Sequence, residues 1–394
     1  MNVGIPKPIS LLEPLLDMPQ ITVLVEGPSD LHPRVMSAMG LPVPVPLTRE
    51  ETYQILHQIK DGVRYIFQTR YDLTMVIPTL ENDGVEAAIY AMRNLAEPKE
   101  TVILAINGLC PINEADIAGT YVIRTDKPFG DVFTLEDIEL TLKKHKPALL
   151  YLVLGESSTG TLQPMEGIGD LCHRYDCLLV LNCASAVAVV PVYTNKWGVD
   201  VVIGSSVGGL SSPPGLTPIA FSPRAVKKMN LKSPDPVPAI TLGKKWGCLG
   251  GELRLDLDIN TPPPLHLYYA LREGLAVVVE EGLENVWERH RTCQQLLMDG
   301  LKRFGVDFFI QNENLRFPGI TTISLSGTDL KLVHNYMSNR NCTVISRGEG
   351  STLRDVLKIK ILGYNAHQHI VEHVLTVLGE TVEYARRVPE EKNA

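Results

Sequence analysis

The sequence has few cysteines, no long apolar run and no excess of basic residues. Seven cysteines are scattered through 394 residues without a Cys-x-x-Cys spacing, which argues against a disulfide framework and against a metal or redox centre. No stretch reaches the ~20 apolar residues that span a bilayer, so no membrane association is expected. The net charge of −8 makes a basic nucleic-acid-binding surface unexpected.

Signals for a particular compartment are also weak. The first twenty residues lack the charged n-region and the uninterrupted apolar core of a signal peptide. The final Lys-Asn-Ala is not the Ser-Lys-Leu type of peroxisomal signal. The sequence therefore predicts a cytoplasmic protein, with the peroxisome as the alternative.

Short apolar runs alternate with amphipathic stretches from Ile21 to about Gly282, a pattern typical of α/β proteins with a mostly parallel sheet. The runs interpreted as strands are Leu73–Ile77, Thr101–Ile106, Ala148–Leu154, Cys177–Leu181, Val199–Ile203 and Ile219–Phe221. The stretches interpreted as helices are Gln54–Phe67, Gly84–Leu95, Leu135–Lys144 and Gly167–His173. We expect ligands to bind beyond the carboxyl ends of such strands.

A helical stretch, His266–Phe304, follows and is interrupted by Gly282. The remaining elements predict a small α+β domain: strands Thr321–Ser326, Thr343–Ser346 and Leu357–Leu362, and helices Asp329–Asn339 and His367–Arg387, the last capped by Asn365. The predicted organisation is an N-terminal arm (1–21), a large domain (22–282) and a small C-terminal domain (283–394).

Two loops have a composition that suits an anion. Gly155–Gly160 follows a predicted strand and offers hydroxyl and backbone N–H groups, although ordinary turn chemistry is the simpler explanation. Gly204–Gly215 is rich in serine and glycine and is either an anion cradle or a flexible loop; it carries no acid, base or histidine.

Two further features are weaker. His369 and His373 share a helix face and have the spacing of a zinc pair, but a solvated face near the C-terminus is the simpler interpretation. Cys183 follows a predicted strand, and a small buried thiol accounts for it. We predict no metal site.

Several motifs together resemble the alanine–glyoxylate (serine–pyruvate) aminotransferase family, which includes insect 3-hydroxykynurenine transaminases. They are Tyr65–Arg70, Gly155–Gly160, Leu171–Tyr175, Ser212–Gly215, Gly282–Asn285 and Gly363–Ala366. The resemblance runs almost end to end. It implies fold type I: a large domain with a mainly parallel seven-stranded sheet, a small C-terminal α+β domain, a homodimer, and pyridoxal phosphate as the family cofactor.

The resemblance does not extend to the family's lysine, which forms a Schiff base with the cofactor. Counting back from the shared Pro213-Pro214-Gly215 places Gly208 at the lysine position. No lysine occurs between Lys196 and Lys227, so a small shift in alignment does not restore it. Glycine supplies neither an amine nor a general base.

Other family positions are also changed. The aspartate that pairs with the pyridinium nitrogen is Asn182, which carries no charge. The glycine-rich phosphate loop reads Glu81-Asn82-Asp83, and its carboxylates would repel a phosphate by about 4 kcal/mol per like pair at ~4 Å. The family glutamine that touches the phosphate is Val207.

The remaining contacts follow the same trend. The aromatic residue that stacks on the ring aligns with Cys110, and the segment that reaches the partner subunit's phosphate appears as Asp258–Thr261. The arginine that clamps the substrate carboxylate is Lys358, which lacks the bidentate fork of arginine. Among the recognised cofactor contacts, the loop containing Ser157 and Ser158 is retained.

These changes predict a pseudoenzyme that binds no pyridoxal phosphate and acts as a dimeric binding, structural or regulatory protein, either with itself or with an active paralogue. One alternative is an alanine–glyoxylate or 3-hydroxykynurenine transaminase-like enzyme with residual activity and weak cofactor binding. Another is an enzyme of a different class that binds an unidentified small molecule among Glu81, Asp83, Cys183, Asp258 and Lys358.

Overall fold

The computed structural model describes residues 21–25, 30–43, 50–80, 84–112, 114–117, 119–231, 264–340, 342–348 and 355–393. The strands are β1 (Thr22–Leu24), β2 (Leu73–Pro78), β3 (Thr101–Ile106), β4 (Tyr121–Asp126), β5 (Leu149–Val153), β6 (Gly155–Glu156), β7 (Thr161–Leu162), β8 (Leu178–Asn182), β9 (Val201–Ile203), β10 (Leu216–Phe221), β11 (Asp307–Phe308), β12 (Ile320–Ser324), β13 (Thr343–Arg347) and β14 (Leu357–Lys360). The helices are α1 (Pro33–Met39), α2 (Glu50–Phe67), α3 (Val85–Leu95), α4 (Leu135–His145), α5 (Ile168–Arg174), α6 (Pro223–Leu231), α7 (Leu265–Glu281), α8 (Leu283–Lys302), α9 (Leu330–Arg340) and α10 (Gln368–Asn393).

A seven-stranded sheet in the order β2-β10-β9-β8-β5-β3-β4 forms the centre of the large domain. Strand β10 is antiparallel to both of its neighbours, and the other pairs are parallel. The predicted α/β class and mainly parallel sheet are therefore confirmed. The edge strand β4 was missed, because its half-exposed residues do not form an apolar run.

Helices cover both faces of this sheet, which explains why its strands are apolar along their whole length. One buried cluster joins alternate strand residues to α2, α4, α5 and α7, and contains Ile103, Leu179 and Leu181. The other joins the intervening strand residues to α3 and α6, and contains Leu104, Val180 and Ile219. Because every strand of this sheet except β10 runs in the same direction, the loops that follow those strands meet at one edge of the sheet.

The C-terminal part has a five-stranded sheet in the order β1-β13-β14-β12-β11, packed on α8, α9 and α10. Strand β1 pairs in parallel with β13, with Thr22 opposite Thr343. Residues 22–24 therefore lie in the sheet of the C-terminal domain, although the sequence pattern assigned them to the large domain. A three-residue strand carries too little periodicity to reveal its sheet.

Two helix boundaries depend on glycine and asparagine. The long helical stretch is divided at Gly282, whose φ of 82° ends α7 and starts α8. The predicted cap by Asn365 is wrong: Asn365 lies in a short 3-10 turn, and its side-chain amide donates to the Val23 carbonyl at 3.0 Å. That bond instead ties the turn to strand β1. No helix within the described ranges is both long and apolar enough to cross a membrane.

Candidate functional site

The candidate site lies at the carboxyl edge of the seven-stranded sheet. Strand β5 ends beside β8, where Leu154 N–H donates to the Asn182 carbonyl at 2.9 Å. Strand β8 ends beside β9, where Cys183 N–H donates to the Ile203 carbonyl at 2.7 Å. Because these strands are parallel, the segments that follow them are neighbours, as ligand-binding segments are in open α/β sheets.

The Gly155–Gly160 loop holds a carboxylate that belongs to the chain itself. Glu156 is 3% exposed. Its carboxylate accepts from the backbone N–H groups of Ser158 and Thr159, each at 2.8 Å, and from both hydroxyls. Such charge-assisted bonds satisfy a buried anion. The anion that the loop composition indicated is therefore supplied internally by Glu156.

The same contacts determine what Ser158 does. Its hydroxyl donates to Glu156 at 2.6 Å and accepts from Leu109 N–H at 3.1 Å, so its single proton is directed to the carboxylate. A Cβ on Gly108 would lie 2.0 Å from the Glu156 carboxyl carbon, and only glycine allows this approach. Ser157, in contrast, is half-buried. The loop and the turn after β3, which carries the half-buried Cys110, therefore form one unit.

Asn182 closes the end of β8 with an oriented amide. Its Nδ2 donates to the Tyr151 hydroxyl at 3.1 Å, and its Oδ1 accepts from Ala184 N–H at 2.9 Å. A Cβ on Gly84 would lie 2.6 Å from Oδ1, and Gly84 has a φ of 76°. The start of α3 therefore rests on the buried Asn182 amide. Asn182 faces the side of the sheet that α3 covers, because it follows Val180 in the strand alternation.

Residues 204–212 of the Gly204–Gly215 loop are buried and are held by serine hydroxyls of the same loop. The Ser206 hydroxyl donates to the Pro213 carbonyl at 2.7 Å, and Ser212 donates to the Ala270 carbonyl at 3.1 Å. The Ser205 hydroxyl accepts from Val207 N–H at 3.3 Å. These hydroxyls satisfy backbone groups inside the protein.

Gly208 begins a short 3-10 turn in this loop and has a φ of 66°. Its neighbour across the domains is Gly363, with a φ of 55°. A Cβ on Gly363 would lie 2.2 Å from Ser211 Oγ and 2.3 Å from the Gly208 carbonyl oxygen. The Tyr364 N–H donates to Ser211 Oγ at 2.7 Å. Two glycine turns, one from each domain, are therefore in direct backbone contact.

Helix α8 fixes the Gly363 turn from the other side. The Arg289 guanidinium donates to the carbonyls of Gly363 and Ala366, both at 2.9 Å, and forms an ion pair with Glu281 at 2.7 Å. The fully buried His290 accepts from Gly363 N–H through Nε2 at 3.0 Å. Burial, reinforced by the Arg289 charge, lowers the pKa of His290 from 6.5 to about 3. His290 is therefore neutral.

Lys358 is 2% exposed and lies on β14 of the small sheet. It is directly opposite Thr322 of β12 and Ser346 of β13. The residues opposite Lys358 on both neighbouring strands are therefore polar, which suits a buried lysine. Lys358 is thus carried by the small domain, whereas Asn182 and Gly208 belong to the large domain.

Other candidate residues have simpler roles or lie outside the described ranges. Cys183 is fully buried, and burial raises its thiol pKa well above the usual value. His373 hydrogen-bonds to Thr343 at 2.9 Å while His369 stacks on His367, so the two histidines do not converge. Within the described ranges, no cluster of three or more metal-ligating side chains occurs. The predicted site residues outside those ranges are Glu81, Asn82, Asp83, Asp258 and Thr261.

Sequence reasoning missed the residues that organise the site. The composition of the loop indicated a site for an external anion, whereas the carboxylate of Glu156 occupies that position itself. The signal was available, since a carboxylate two residues before Ser-Thr can accept their N–H groups, as in a capping arrangement. Arg289 and His290 carry no local signal, because their partners are about 75 residues away in sequence.

The sheet order, the two domains and the polar carboxyl edge define a class: the type I aminotransferase fold. The sequence matches the class-V aminotransferases over residues 45–369, and the chain belongs to that family. It is 38% identical to alanine–glyoxylate aminotransferase of Mus musculus over 388 residues, covering 96% of this chain and 92% of that protein. The Drosophila melanogaster alanine–glyoxylate aminotransferase is 33% identical, with 97% of both chains covered.

Solved structures agree with this assignment. Alanine–glyoxylate aminotransferase from Nostoc sp. superposes with a TM-score of 0.86 at 30% identity, covering 96% of this chain and 100% of that chain. Ureidoglycine–glyoxylate aminotransferase from Bacillus subtilis gives 0.85 at 28% identity, covering 94% and 95%. The resemblance inferred from short motifs is therefore confirmed at the level of family and fold.

Proposed function

We propose that this chain is an aminotransferase-family pseudoenzyme: it lacks the Schiff-base lysine and the cofactor site, and acts as a dimeric binding, structural or regulatory protein. The observation that carries the proposal is Gly208, which stands where the family resemblance places the lysine. Without an amine at that position, the cofactor cannot be attached and no base is available beside it.

The surroundings of Gly208 support this proposal. Its positive φ of 66° strains any side chain, and its carbonyl packs on Gly363. The lysines nearest to Gly208 in sequence lie elsewhere in the structure. Lys196 Nζ lies 5.2 Å from the centroid of the Tyr193 ring, and Lys227 lines a groove at the opposite edge of the sheet.

The remaining polar groups also fit pyridoxal phosphate poorly. A protonated pyridinium needs an anionic partner, whereas Asn182 is a neutral amide held by Tyr151 and Ala184. The Ser158 hydroxyl donates its hydrogen bond to the Glu156 carboxylate, so it is not an available donor for an added phenolate or phosphate.

The proposed partner is a second copy of the chain or an active paralogue, in the cytoplasm. Two large, exposed apolar side chains at the carboxyl edge of the sheet support the proposal that a partner chain covers this surface. Leu80, just after β2, is 91% exposed, and Leu109, just after β3, is 42% exposed. Burying such side chains is favourable in an association. Light scattering of the purified chain measures its mass, and co-purification from tissue that expresses both proteins tests for a paralogue; a lone monomer in both contradicts this part.

Cofactor trapping tests the central claim. The purified chain is incubated with pyridoxal phosphate, reduced with borohydride and mapped by mass spectrometry, with the Mus musculus relative as the positive control. The exposed Lys144 measures nonspecific labelling. We expect no lysine to be labelled more than Lys144, and we expect no turnover of alanine and glyoxylate. An adduct on a pocket lysine such as Lys358, accompanied by turnover, would overturn the proposal in favour of residual transamination.

A matched pair of variants tests whether the chain lacks only the lysine or lacks the whole cofactor site. Gly208→Lys restores the amine, and Gly208→Lys with Asn182→Asp also restores the ring partner. If the whole site is lost, neither variant gains a reducible adduct at residue 208. Adduct formation in either variant shows that the rest of the pocket still accepts the cofactor, and the claim of a lost cofactor site then fails.

A further inference from the structure

A polar groove of about 680 Å³ lies at the amino edge of the large sheet. It is lined by residues at the starts of three parallel strands: Thr101 of β3, Ala148 before β5 and Leu178 of β8. The candidate site is at the carboxyl ends of these strands. The groove is therefore separated from that site by the length of the sheet.

Basic side chains outnumber acidic ones in this groove, although the whole chain has a net charge of −8. The basic residues are Lys99, Lys146, Arg224, Lys227 and Lys228, and the acidic residues are Glu97, Glu100 and Asp176. Two ion pairs form inside it, Lys228 with Glu100 at 2.6 Å and Arg224 with Asp176 at 3.4 Å. Within the described part of the chain, the other three lysines have no ion-pair partner.

Arg224 is held rigidly at the groove. Its guanidinium also donates at 3.1 Å to Asp200, a carboxylate that is 1% exposed and accepts from the Ser222 hydroxyl at 2.7 Å. A guanidinium that is fixed by a buried carboxylate keeps its remaining N–H groups in a defined direction. The groove therefore combines one fixed cation with exposed, adjustable lysines.

The backbone places charged residues where glycine is the usual choice. Lys99, Lys146 and Asp176 have φ angles of 72°, 45° and 52°, and each lies in the turn that leads from a helix into a strand. Lys146 is the C-cap of α4. Glycine is favoured at such left-handed positions because it has no Cβ. Residues held in sparsely populated backbone conformations cluster at active sites and ligand-binding sites.

We propose that this groove binds a small molecule that carries two or more phosphate groups. Its volume is in the range of about 300–1,000 Å³ that is typical of small-ligand pockets, and a single phosphate would leave most of it empty. Lysine ammonium groups and an oriented guanidinium are suitable donors to phosphate oxygens. The surplus of positive charge concentrates anions locally on an otherwise acidic protein.

Inorganic tripolyphosphate is the probe, and calorimetry with the full-length chain at low salt is the measurement. We expect saturable binding that weakens as salt is added, because exposed charges are screened. Lys99→Gly and Lys146→Gly should each weaken binding by about fivefold, and the double variant by about 25-fold. Since glycine suits both backbone positions, these variants should unfold at the same or a higher urea concentration, which excludes misfolding as the cause.

Lys144→Ala is the matched control, because Lys144 is exposed and near Lys146 but does not line the groove. It should leave binding unchanged. Absence of binding, or an equal loss in Lys144→Ala, overturns the proposal. A lipid headgroup with two phosphates offers the same chemistry, and vesicles that contain a bisphosphorylated lipid test this second source. Binding to the vesicles without binding to tripolyphosphate also overturns the proposal that the groove binds a soluble molecule. None of these results depends on the state of Gly208.

Discussion

Acidification should destabilise the fold through His290, a side chain that touches no proposed ligand. Its Nδ1 donates to the Val286 carbonyl at 2.7 Å, and its Nε2 accepts from Gly363 N–H at 3.0 Å. A second proton on the ring would turn Nε2 into a donor that faces the Gly363 N–H donor, and solvent does not reach the side chain because it is fully buried. Burial and the neighbouring Arg289 charge accordingly lower the pKa from 6.5 to about 3.

The sign and size follow from linkage. Between pH 6.5 and about pH 3 the unfolded chain binds a proton at residue 290 that the folded chain excludes. The free energy of unfolding is therefore unaffected above pH 6.5 and falls by about 1.4 kcal/mol per unit below it. Lowering the pH from 7.5 to 5.0 should remove about 2 kcal/mol through this residue alone.

Urea unfolding of the wild type and of His290→Gln at both pH values isolates this contribution. Glutamine does not titrate and keeps an acceptor for Gly363 N–H, so the wild type should lose about 2 kcal/mol more than the variant on acidification. His57→Gln, at an exposed position, should keep the wild-type pH dependence. Equal losses in wild type and His290→Gln would refute the reasoning, because they would mean that His290 protonates without hindrance.

Three other perturbations have defined outcomes. Gly363→Ala should lower the free energy of unfolding in urea by about 2 kcal/mol or more, because the new Cβ would meet the Gly208 carbonyl at 2.3 Å; an unchanged midpoint would contradict the contact. Glu156→Gln replaces a buried acceptor of N–H and hydroxyl donors and should cost about 2–3 kcal/mol, measured by thermal unfolding; full retention of stability would contradict the internal role of Glu156. The buried Cys183 should resist iodoacetamide at neutral pH in the folded state while the half-exposed Cys110 reacts, as peptide mass spectrometry will determine; equal labelling would contradict the burial.

Local sequence patterns were enough to predict the layers of the fold. Apolar runs such as Thr101–Ile106 predicted strands covered on both faces, and the amphipathic stretches between the runs predicted the helices. The half-exposed β4 and the three-residue β1 were missed for the same physical reason. Pairing in a sheet, rather than their own periodicity, makes them strands.

The sequence predicted the candidate site only at positions where the type of a single residue decides the chemistry. Gly208, Asn182 and Lys358 were singled out because each differs in type from the residue that the family resemblance implies. The internal anion at Glu156 depends on side-chain direction, which a motif does not encode. The contact between the Gly208 and Gly363 turns depends on the packing of two domains, and because the two turns are far apart in sequence, no local signal reports it.

The paired glycine turns also constrain how the sequence can change. Any side chain gained at residue 363 presses on the turn at residue 208, and any side chain gained at residue 208 must adopt a left-handed backbone beside Leu362. The steric restriction therefore acts from residue 363 on the turn at residue 208. A Cβ at residue 208 would make an ordinary contact with Leu362 at 3.6 Å, and the restriction at that position comes from its own backbone angle. A lysine at residue 208 would therefore carry the cost of a left-handed backbone, so selection for folding favours glycine there independently of any chemistry at the site.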